Sequence, residues 1–204
     1  IKVNSLNELN NSLSTSIASS INNYLIAQEF IDGFDVVLIS FVQNGTLKPI
    51  SFVEEINIFH KDKEAIGAGV LVPARIKNDV KSKIIAASEE IIKNLNIHTS
   101  PFMISFRVAE NIPYLMELHL DFGGDLILDV LLPNSFDFDV IRAGIQFMAG
   151  EKVITSNNLF ERPTSVIYYP GKKLISDKRY HIIKKDTIEE VLISVNEKIK
   201  NIYD

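Results

Sequence analysis

Hydrophobic residues return at helical spacing in the first half of the chain. Between residues 5 and 23, leucines and isoleucines recur every three or four positions among polar residues. This pattern predicts an amphipathic helix that is capped by Asn4 or Ser5. Residues 78 to 95 carry a continuous apolar face at the same period and predict the clearest helix of the chain.

Strands are predicted where apolar runs are short and bounded by turn residues. Residues 34 to 42 and 47 to 59 flank the turn pair Asn44-Gly45, which is typical of a hairpin. Residues 102 to 108 and 114 to 120 predict a second hairpin. Together with the helices, this order predicts an α+β fold in which helices pack on an antiparallel sheet.

Two stretches lie between these elements. Residues 24 to 31 form a short apolar run that reaches a bend at Asp32-Gly33, and they predict a further strand. Residues 60 to 69 are first charged and then contain two glycines, and they predict a mobile loop that Pro73 closes.

The second half of the chain contains further elements. Helices are predicted from about residue 137 to 149 and from 187 to about 202, and a strand pair is predicted at 166 to 169 and 173 to 175. The sequence contains no clear interdomain linker. We therefore expect one main domain over residues 1–150, with residues 151–204 as an extension packed on it.

Composition narrows the function classes. The 204 residues are 46% hydrophobic and 23% charged, which is ordinary for a globular domain. The net charge is -5 without a basic stripe, which argues against a nucleic-acid partner. No apolar run approaches the roughly 20 residues that span a bilayer, so we expect no membrane partner and a cytoplasmic location. The absence of cysteine excludes disulfides and thiolate metal sites.

Polar residues alternate with leucines at the end of the predicted strand 114 to 120. Alternation places Glu117, His119 and Asp121 on one face of the sheet, where they are candidate ligands of a divalent cation. The alternative is a half-exposed strand whose polar side chains face water. The glycines Gly123 and Gly124 follow directly and favour the first interpretation, because glycine allows a ligand to approach the backbone closely.

These residues resemble the signature of the ATP-grasp superfamily, a strand that ends in Glu-Ile-Asn-x-Arg-x-x-Gly. The resemblance implies that Glu117 binds a Mg²⁺ ion that bridges the phosphates of ATP. His119 stands where the family has Asn, and Asp121 stands where it has Arg. Ser105 falls where the family has another metal-binding carboxylate. Imidazole suits Mn²⁺ better than Mg²⁺, so either ion is expected.

The segment before the first hairpin also resembles this family. Gln28, Glu29, Phe30 and Ile31 match the hinge whose backbone receives adenine, and Asp35 matches the acid that holds the ribose hydroxyls. The start of the chain resembles the sequence that follows the family's phosphate loop and its first ATP lysine. The resemblance therefore implies the carboxyl-terminal half of an ATP-grasp domain, with an upstream segment of the same protein as its partner.

The implied activity is the ATP-dependent joining of a small-molecule carboxylate to an amine or a thiol, through an acyl phosphate. A homodimer is also expected to be possible. This chain alone is expected not to catalyse the reaction. The alternative is a divergent, non-catalytic binding or scaffolding module, which the residues at positions 105 and 121 favour.

Three basic residues outside these motifs are expected to lie in solvent. Lys61 and Arg75 could reach a phosphate from the predicted loop, but exposed surface charges are the simpler interpretation of both. Arg107 is placed on the strand face opposite Ser105 and is expected to be solvated.

Overall fold

The computed structural model describes most of the chain. The described residues are 1–59, 65–124, 126–136, 139–151, 162–169 and 180–203. The strands are β1 (Phe34–Gln43), β2 (Thr46–Phe59), β3 (Ala65–Val72), β4 (Ser100–Ala109), β5 (Ile112–His119), β6 (Thr164–Tyr168) and β7 (Tyr180–Lys184). The α-helices are α1 (Leu6–Ala18), α2 (Asn78–Asn94), α3 (Leu132–Ser135), α4 (Val140–Met148) and α5 (Ile188–Tyr203), and a π-helical turn over Ile127–Leu131 leads into α3.

The seven strands form one sheet in the order β5-β4-β1-β2-β3-β6-β7. Every neighbouring pair is antiparallel. Helices cover both faces of this sheet, so the prediction of an α+β fold with an antiparallel sheet is confirmed. Among the described residues, no helix is both long and apolar enough to cross a membrane.

The two faces of the sheet bury different cores. On the back face, defined by residues such as Val36 and Ile104, the apolar sides of α2 and α5 pack on the strands. On the front face, defined by residues such as Val37 and Met103, the π-helical turn, α3 and α4 pack on the strands. The candidate metal ligands Glu117 and His119 lie on the front face, opposite Ser105 and Met103 of β4.

The elements with strong local signals are confirmed. The first predicted helix forms as α1, and Ser5 caps it because its side-chain oxygen accepts a hydrogen bond from the Glu8 amide. The helix predicted at 78 to 95 forms as α2, and both predicted hairpins form. The second hairpin turns through Glu110 and Asn111, which both have positive φ angles.

Two predictions for the first half are wrong. Residues 24 to 31 do not form a strand, because this segment passes beside the sheet without joining its backbone ladder. The loop predicted over 60 to 69 is wrong for its last five residues, since Gly67 and Gly69 belong to β3 and pair with β2, and its residues 60 to 64 lie outside the described residues. A Cβ atom at Gly69 would lie 2.4 Å from the carbonyl oxygen of Val166, so glycine is needed where β6 approaches.

The second half agrees in part with its predictions. The helix expected from about 137 begins at Val140, and Asp139 caps it. The strand at 166 to 169 forms as β6, but the predicted partner at 173 to 175 lies outside the described residues. In the described part of the chain, β6 pairs with β3 and β7, so it belongs to the main sheet. The domain division at residue 150 stays a prediction.

Candidate functional site

The candidate residues follow β4 and β5 along the front face. Arg107 lies opposite Tyr114, Ser105 opposite Glu117, and Met103 opposite His119. A β-bulge between these pairs gives β5 one extra residue, which keeps the polar side chains on the front face at both ends of the strand. The register therefore places Arg107, which binds the hinge segment, and the predicted metal ligands Glu117 and His119 in sequence along one edge of the sheet.

A cavity of about 490 Å³ lies between the hinge segment and the exposed part of β5. Its lining combines the start of the chain, the hinge and the end of the second hairpin. The lining residues are Ile1, Lys2, Val3, Ile26, Gln28, Glu29, Phe30, Ile31, Arg107, Tyr114, Leu115 and Met116. The four hinge residues that the family resemblance selected all line this cavity.

Two cations lie against the aromatic ring of Phe30. The ammonium group of Lys2 is 3.7 Å from the ring centroid, and the guanidinium carbon of Arg107 is 5.2 Å from it. Cations are attracted to the negative face of an aromatic ring, so both contacts hold Phe30 at the cavity wall. The cavity thus offers the aromatic side chains of Phe30 and Tyr114, apolar walls and positive charge.

The expectation that Arg107 is solvated is wrong. Arg107 is two residues from Ser105 and therefore lies on the same strand face, and only 14% of its side chain is exposed. Its Nε atom donates to the Ile31 carbonyl at 2.6 Å, and its Nη2 atom donates to the Gly33 carbonyl at 3.0 Å. The side chain is thus bound by the hinge segment rather than by water.

The carboxylate of Asp35 lies between two side chains from neighbouring strands. The Nη1 atom of Arg107 donates to its two oxygens at 3.1 and 3.0 Å, and the Nδ2 atom of Asn57 donates to one of them at 2.8 Å. Asp35 is not among the lining residues of the hinge cavity, within the part of the chain that is described. Its contact with a ribose stays a prediction.

Glu117 and His119 come together at the centre of the edge. The Nε2 atom of His119 lies 3.3 Å from the Oε1 atom of Glu117, and both side chains are partly exposed, at 37% and 63% respectively. The hydroxyl-bearing side chain of Ser105 faces Glu117 from the neighbouring strand. One carboxylate and one imidazole remain accessible to a ligand on the front face.

Asp121 follows β5 in a turn that uses its own carboxylate. The Oδ1 atom accepts a hydrogen bond from the Gly123 amide at 2.7 Å. Gly123 has a φ angle of +65°, and a Cβ atom there would lie 2.6 Å from the Cε atom of Met103. The positive φ angle favours glycine at this position, whereas the flexible end of the Met103 side chain could move aside.

The predicted metal ligands do not form a preassembled cage. Among the described residues, no three His, Asp or Glu side chains lie close enough together to hold a metal ion. Mg²⁺ is commonly bound by one or two carboxylates together with the phosphates of a substrate, and it keeps several waters. Glu117, with His119 beside it, fits such an open site, and the role of Asp121 as a third ligand stays a prediction.

Arg75 does not reach toward this site. It lies on the back face, where its backbone amide and its guanidinium group both donate to the carboxylate of Glu54. The hydrogen bond to Glu54 raises the pKa of Arg75, against the opposing effect of burial. Arg75 is thus committed to a structural ion pair, and Lys61 lies outside the described residues.

Sequence reasoning missed Arg107 and Asn57. Arg107 lies two positions after Ser105, and Asn57 lies two positions after Glu55, each within a predicted strand. This spacing of two was the available signal that each pair shares a face of the sheet. The partners could not be found in this way, since Arg107 is separated from Ile31 by 76 positions and Asn57 from Asp35 by 22.

No protein-family model matches the sequence, and no curated protein matches it significantly. Solved structures do match the fold. An L-amino acid ligase from Bacillus licheniformis superposes with a TM-score of 0.77 at 15% identity, over 99% of this chain and 61% of that one. A phosphoribosylglycinamide synthetase from Anaerococcus prevotii gives 0.67 at 13% identity, over 97% and 59%.

An ADP complex of N5-carboxyaminoimidazole synthetase from Staphylococcus aureus gives a TM-score of 0.63 at 14% identity, over 85% of this chain and 52% of that one. The chain thus spans between about half and three fifths of the length of these structures. At these identities the likeness concerns the fold, and it agrees with the resemblance drawn from the sequence motifs.

Proposed function

We propose that this chain, which has the fold of the ATP-grasp ligases, is the carboxyl-terminal, nucleotide- and metal-binding portion of an ATP-dependent ligase. The ligase joins a small-molecule carboxylate to an amine or a thiol. The proposal rests on one observation: the cavity lined by Gln28, Glu29, Phe30 and Ile31 is also lined by Arg107 and Tyr114, which share a sheet face with the Glu117–His119 pair.

The proposed nucleotide lies along β4 and β5. Its base rests in the hinge cavity, where the ring of Phe30 and the apolar side chains of Ile26 and Leu115 form the walls. Its phosphates extend toward Glu117, which is further along β5. The cavity is large enough for a base and part of a ribose, since ligand pockets in proteins commonly begin at about 300 Å³.

Mg²⁺ or Mn²⁺ would be held at this site by Glu117 and His119. Such an ion would withdraw negative charge from a phosphate during its transfer. The chain's own part is to present the Glu117 carboxylate at a fixed point of a paired strand and to hold the base at the hinge. Fixing both ends of the nucleotide orients the γ-phosphate for attack by a carboxylate, which yields an acyl phosphate and ADP.

The test is calorimetric titration with ATP of the protein that contains this portion, in the presence and absence of MgCl₂ or MnCl₂. Glu117→Gln removes the carboxylate charge with little change of shape. Loss of even an outer partner of a metal ligand typically weakens metal binding by roughly 10- to 100-fold. We therefore expect the metal-dependent part of the affinity to fall at least tenfold in this variant.

The matched control is Glu89→Gln, which changes the same chemical group on the exposed side of α2, on the back face. It should bind as the unaltered chain does. Equal metal-dependent binding by the Glu117→Gln and Glu89→Gln variants would remove Glu117 from the site. Binding of nucleotide without any metal dependence would instead favour the alternative, a non-catalytic binding or scaffolding module.

A further inference from the structure

The hinge segment, residues 24 to 33, is held to the sheet by the side chain of Arg107, whereas a strand would be held by backbone hydrogen bonds. Residues 24 to 30 are all exposed and lie outside the ladder of the sheet. Arg107 projects from β4 into the end of this segment and donates hydrogen bonds to the carbonyls of Ile31 and Gly33. These bonds fix the point at which the hinge meets the sheet.

The guanidinium group is fully directed toward the protein. An arginine has five N–H donors in a planar fork. Here Nε and Nη2 bind the two hinge carbonyls, while Nη1 binds both oxygens of Asp35. All three nitrogens therefore have protein acceptors, and the group borders the cavity without being free to serve as its principal ligand.

Asp35 completes the arrangement from the neighbouring strand. Its side chain is only 16% exposed, and Asn57 on β2 donates to it at 2.8 Å. A charge-assisted contact of this kind is stronger than a neutral hydrogen bond, and its planar geometry fixes the orientation of the arginine. Three adjacent strands, β4, β1 and β2, thus supply one side chain each to a single network.

Gly33 shows that the hinge is closely fitted to this network. A Cβ atom at that position would lie 2.3 Å from the carbonyl oxygen of Val108, which no side chain could tolerate. The chain can therefore approach β4 closely enough for its carbonyl to reach Arg107 only because residue 33 is glycine.

We infer that Arg107 is a positioning residue for nucleotide binding, which orders the hinge through Ile31 and Gly33, and that Asp35 serves as its counter-ion. This inference rests on the proposed function, since the ordered hinge is the wall against which the base lies. It assigns Asp35 to the arginine instead of to a ribose hydroxyl.

Arg107→Lys tests the inference because lysine keeps the charge but lacks the planar fork. A lysine can remain paired with Asp35 but cannot bind both hinge carbonyls at the same time. Hydrogen–deuterium exchange should be faster in peptides covering residues 24 to 34, most clearly where the hinge enters β1 at Phe34, with the remainder of β1 and with β4 unchanged. The dissociation constant for ATP should rise at least tenfold.

Asp35→Asn is the second variant, and it keeps the test usable if Arg107→Lys does not fold. It should accelerate exchange in the same peptides, to a smaller extent, because the amide oxygen still accepts one bond from Arg107. Lys83→Arg is the control, an exposed residue of α2 whose exchange should match the unaltered chain.

The measurements of exchange and of ATP binding distinguish failure of this inference from failure of the proposed function. If the protein that contains this portion binds no ATP, the proposed function fails, while hydrogen–deuterium exchange still reports on the order of the hinge. Normal hinge exchange in both variants overturns the inference. Weak ATP binding with normal exchange also overturns it, since Arg107 would then contact the nucleotide directly. Faster exchange throughout the sheet overturns it as well, because Arg107 would then stabilise the whole domain and not the hinge in particular.

Discussion

Two arginine–carboxylate pairs lie on opposite faces of the same sheet and illustrate different uses of the same chemistry. On the back face, Glu54 is almost fully buried, with 2% of its side chain exposed, while its partner Arg75 is 48% exposed. On the front face, Arg107 and Asp35 are buried to a similar extent, at 14% and 16% exposed. The first pair neutralises a buried charge, and the second pair holds a segment of chain.

The difference lies in where the donors of each arginine go. Arg75 directs its backbone amide and its guanidinium group to one acceptor, the carboxylate of Glu54. Arg107 divides its donors among the carboxylate of Asp35 and two backbone carbonyls of the hinge. Loss of Arg75 should therefore lower the stability of the whole domain, whereas loss of Arg107 should mainly release one segment.

The largest effect on stability is expected from Arg75→Ala. Removing one partner of a buried ion pair leaves an uncompensated charge, which typically costs about 3–5 kcal/mol. We expect a value near the lower end, because the backbone amide at position 75 still donates to Glu54. Urea denaturation measures this loss. Lys77→Ala, an exposed change two residues away, should alter the free energy of unfolding by less than about 0.5 kcal/mol.

A loss below about 1 kcal/mol for Arg75→Ala would contradict the first half of the comparison, because this is the range of an exposed ion pair. Where the variant is folded, it should bind ATP as the unaltered chain does, since Arg75 lies on the back face. Weakened binding at full stability would show that the two faces are coupled.

Arg107→Lys should lower the free energy of unfolding less than Arg75→Ala does, by about 1–2 kcal/mol, on the scale of individual charged hydrogen bonds. The charge opposite Asp35 is retained, and the hinge can detach locally without opening the sheet. Urea denaturation monitored in parallel with hinge exchange distinguishes these events. An equal loss of stability for the two arginine variants would remove the distinction between the faces.

Asn57→Ala is expected to have the smallest effect, about 1 kcal/mol, since it removes one hydrogen bond to a carboxylate that keeps its arginine. Exchange of the hinge peptides should increase slightly, in the same region as for Arg107→Lys. The matched control is Asn94→Ala, at the last residue of α2. Asn44 is avoided because its φ angle is positive, so a substitution there would also change the backbone. No change in hinge exchange for Asn57→Ala would confine the network to Arg107 and Asp35.

Much of the site's position followed from local sequence patterns. Glu117 and His119 were predicted to share a face because alternation is a property of the strand itself, and the structure brings their side chains together. The cap of α1 was predicted at Asn4 or Ser5 because a cap depends on residues three positions apart, and Ser5 provides it. The hinge residues at 28 to 31 were selected by their motif, and the structure places them along one cavity.

Other features depended on partners that the local pattern does not contain. The apolar run at 24 to 31 has the composition of a strand but joins no ladder, and its end is bound instead by the side chain of Arg107, which lies 76 positions away in the sequence. The glycines of β3 indicated a loop until the approach of β6 explained Gly69. Asp121 was grouped with the metal ligands by alternation, whereas its carboxylate also closes a turn with Gly123.

The sequence by itself determined the α+β class, the order of its helices and hairpins, and which side chains share a face, because periodicity and turn chemistry act over a few residues. Only the tertiary structure decided which charges meet. The partners Arg107 and Ile31 are 76 positions apart, Arg107 and Asp35 72, and Arg75 and Glu54 21. Such pairs depend on sheet order and register, which are set by how the whole chain buries its apolar surface.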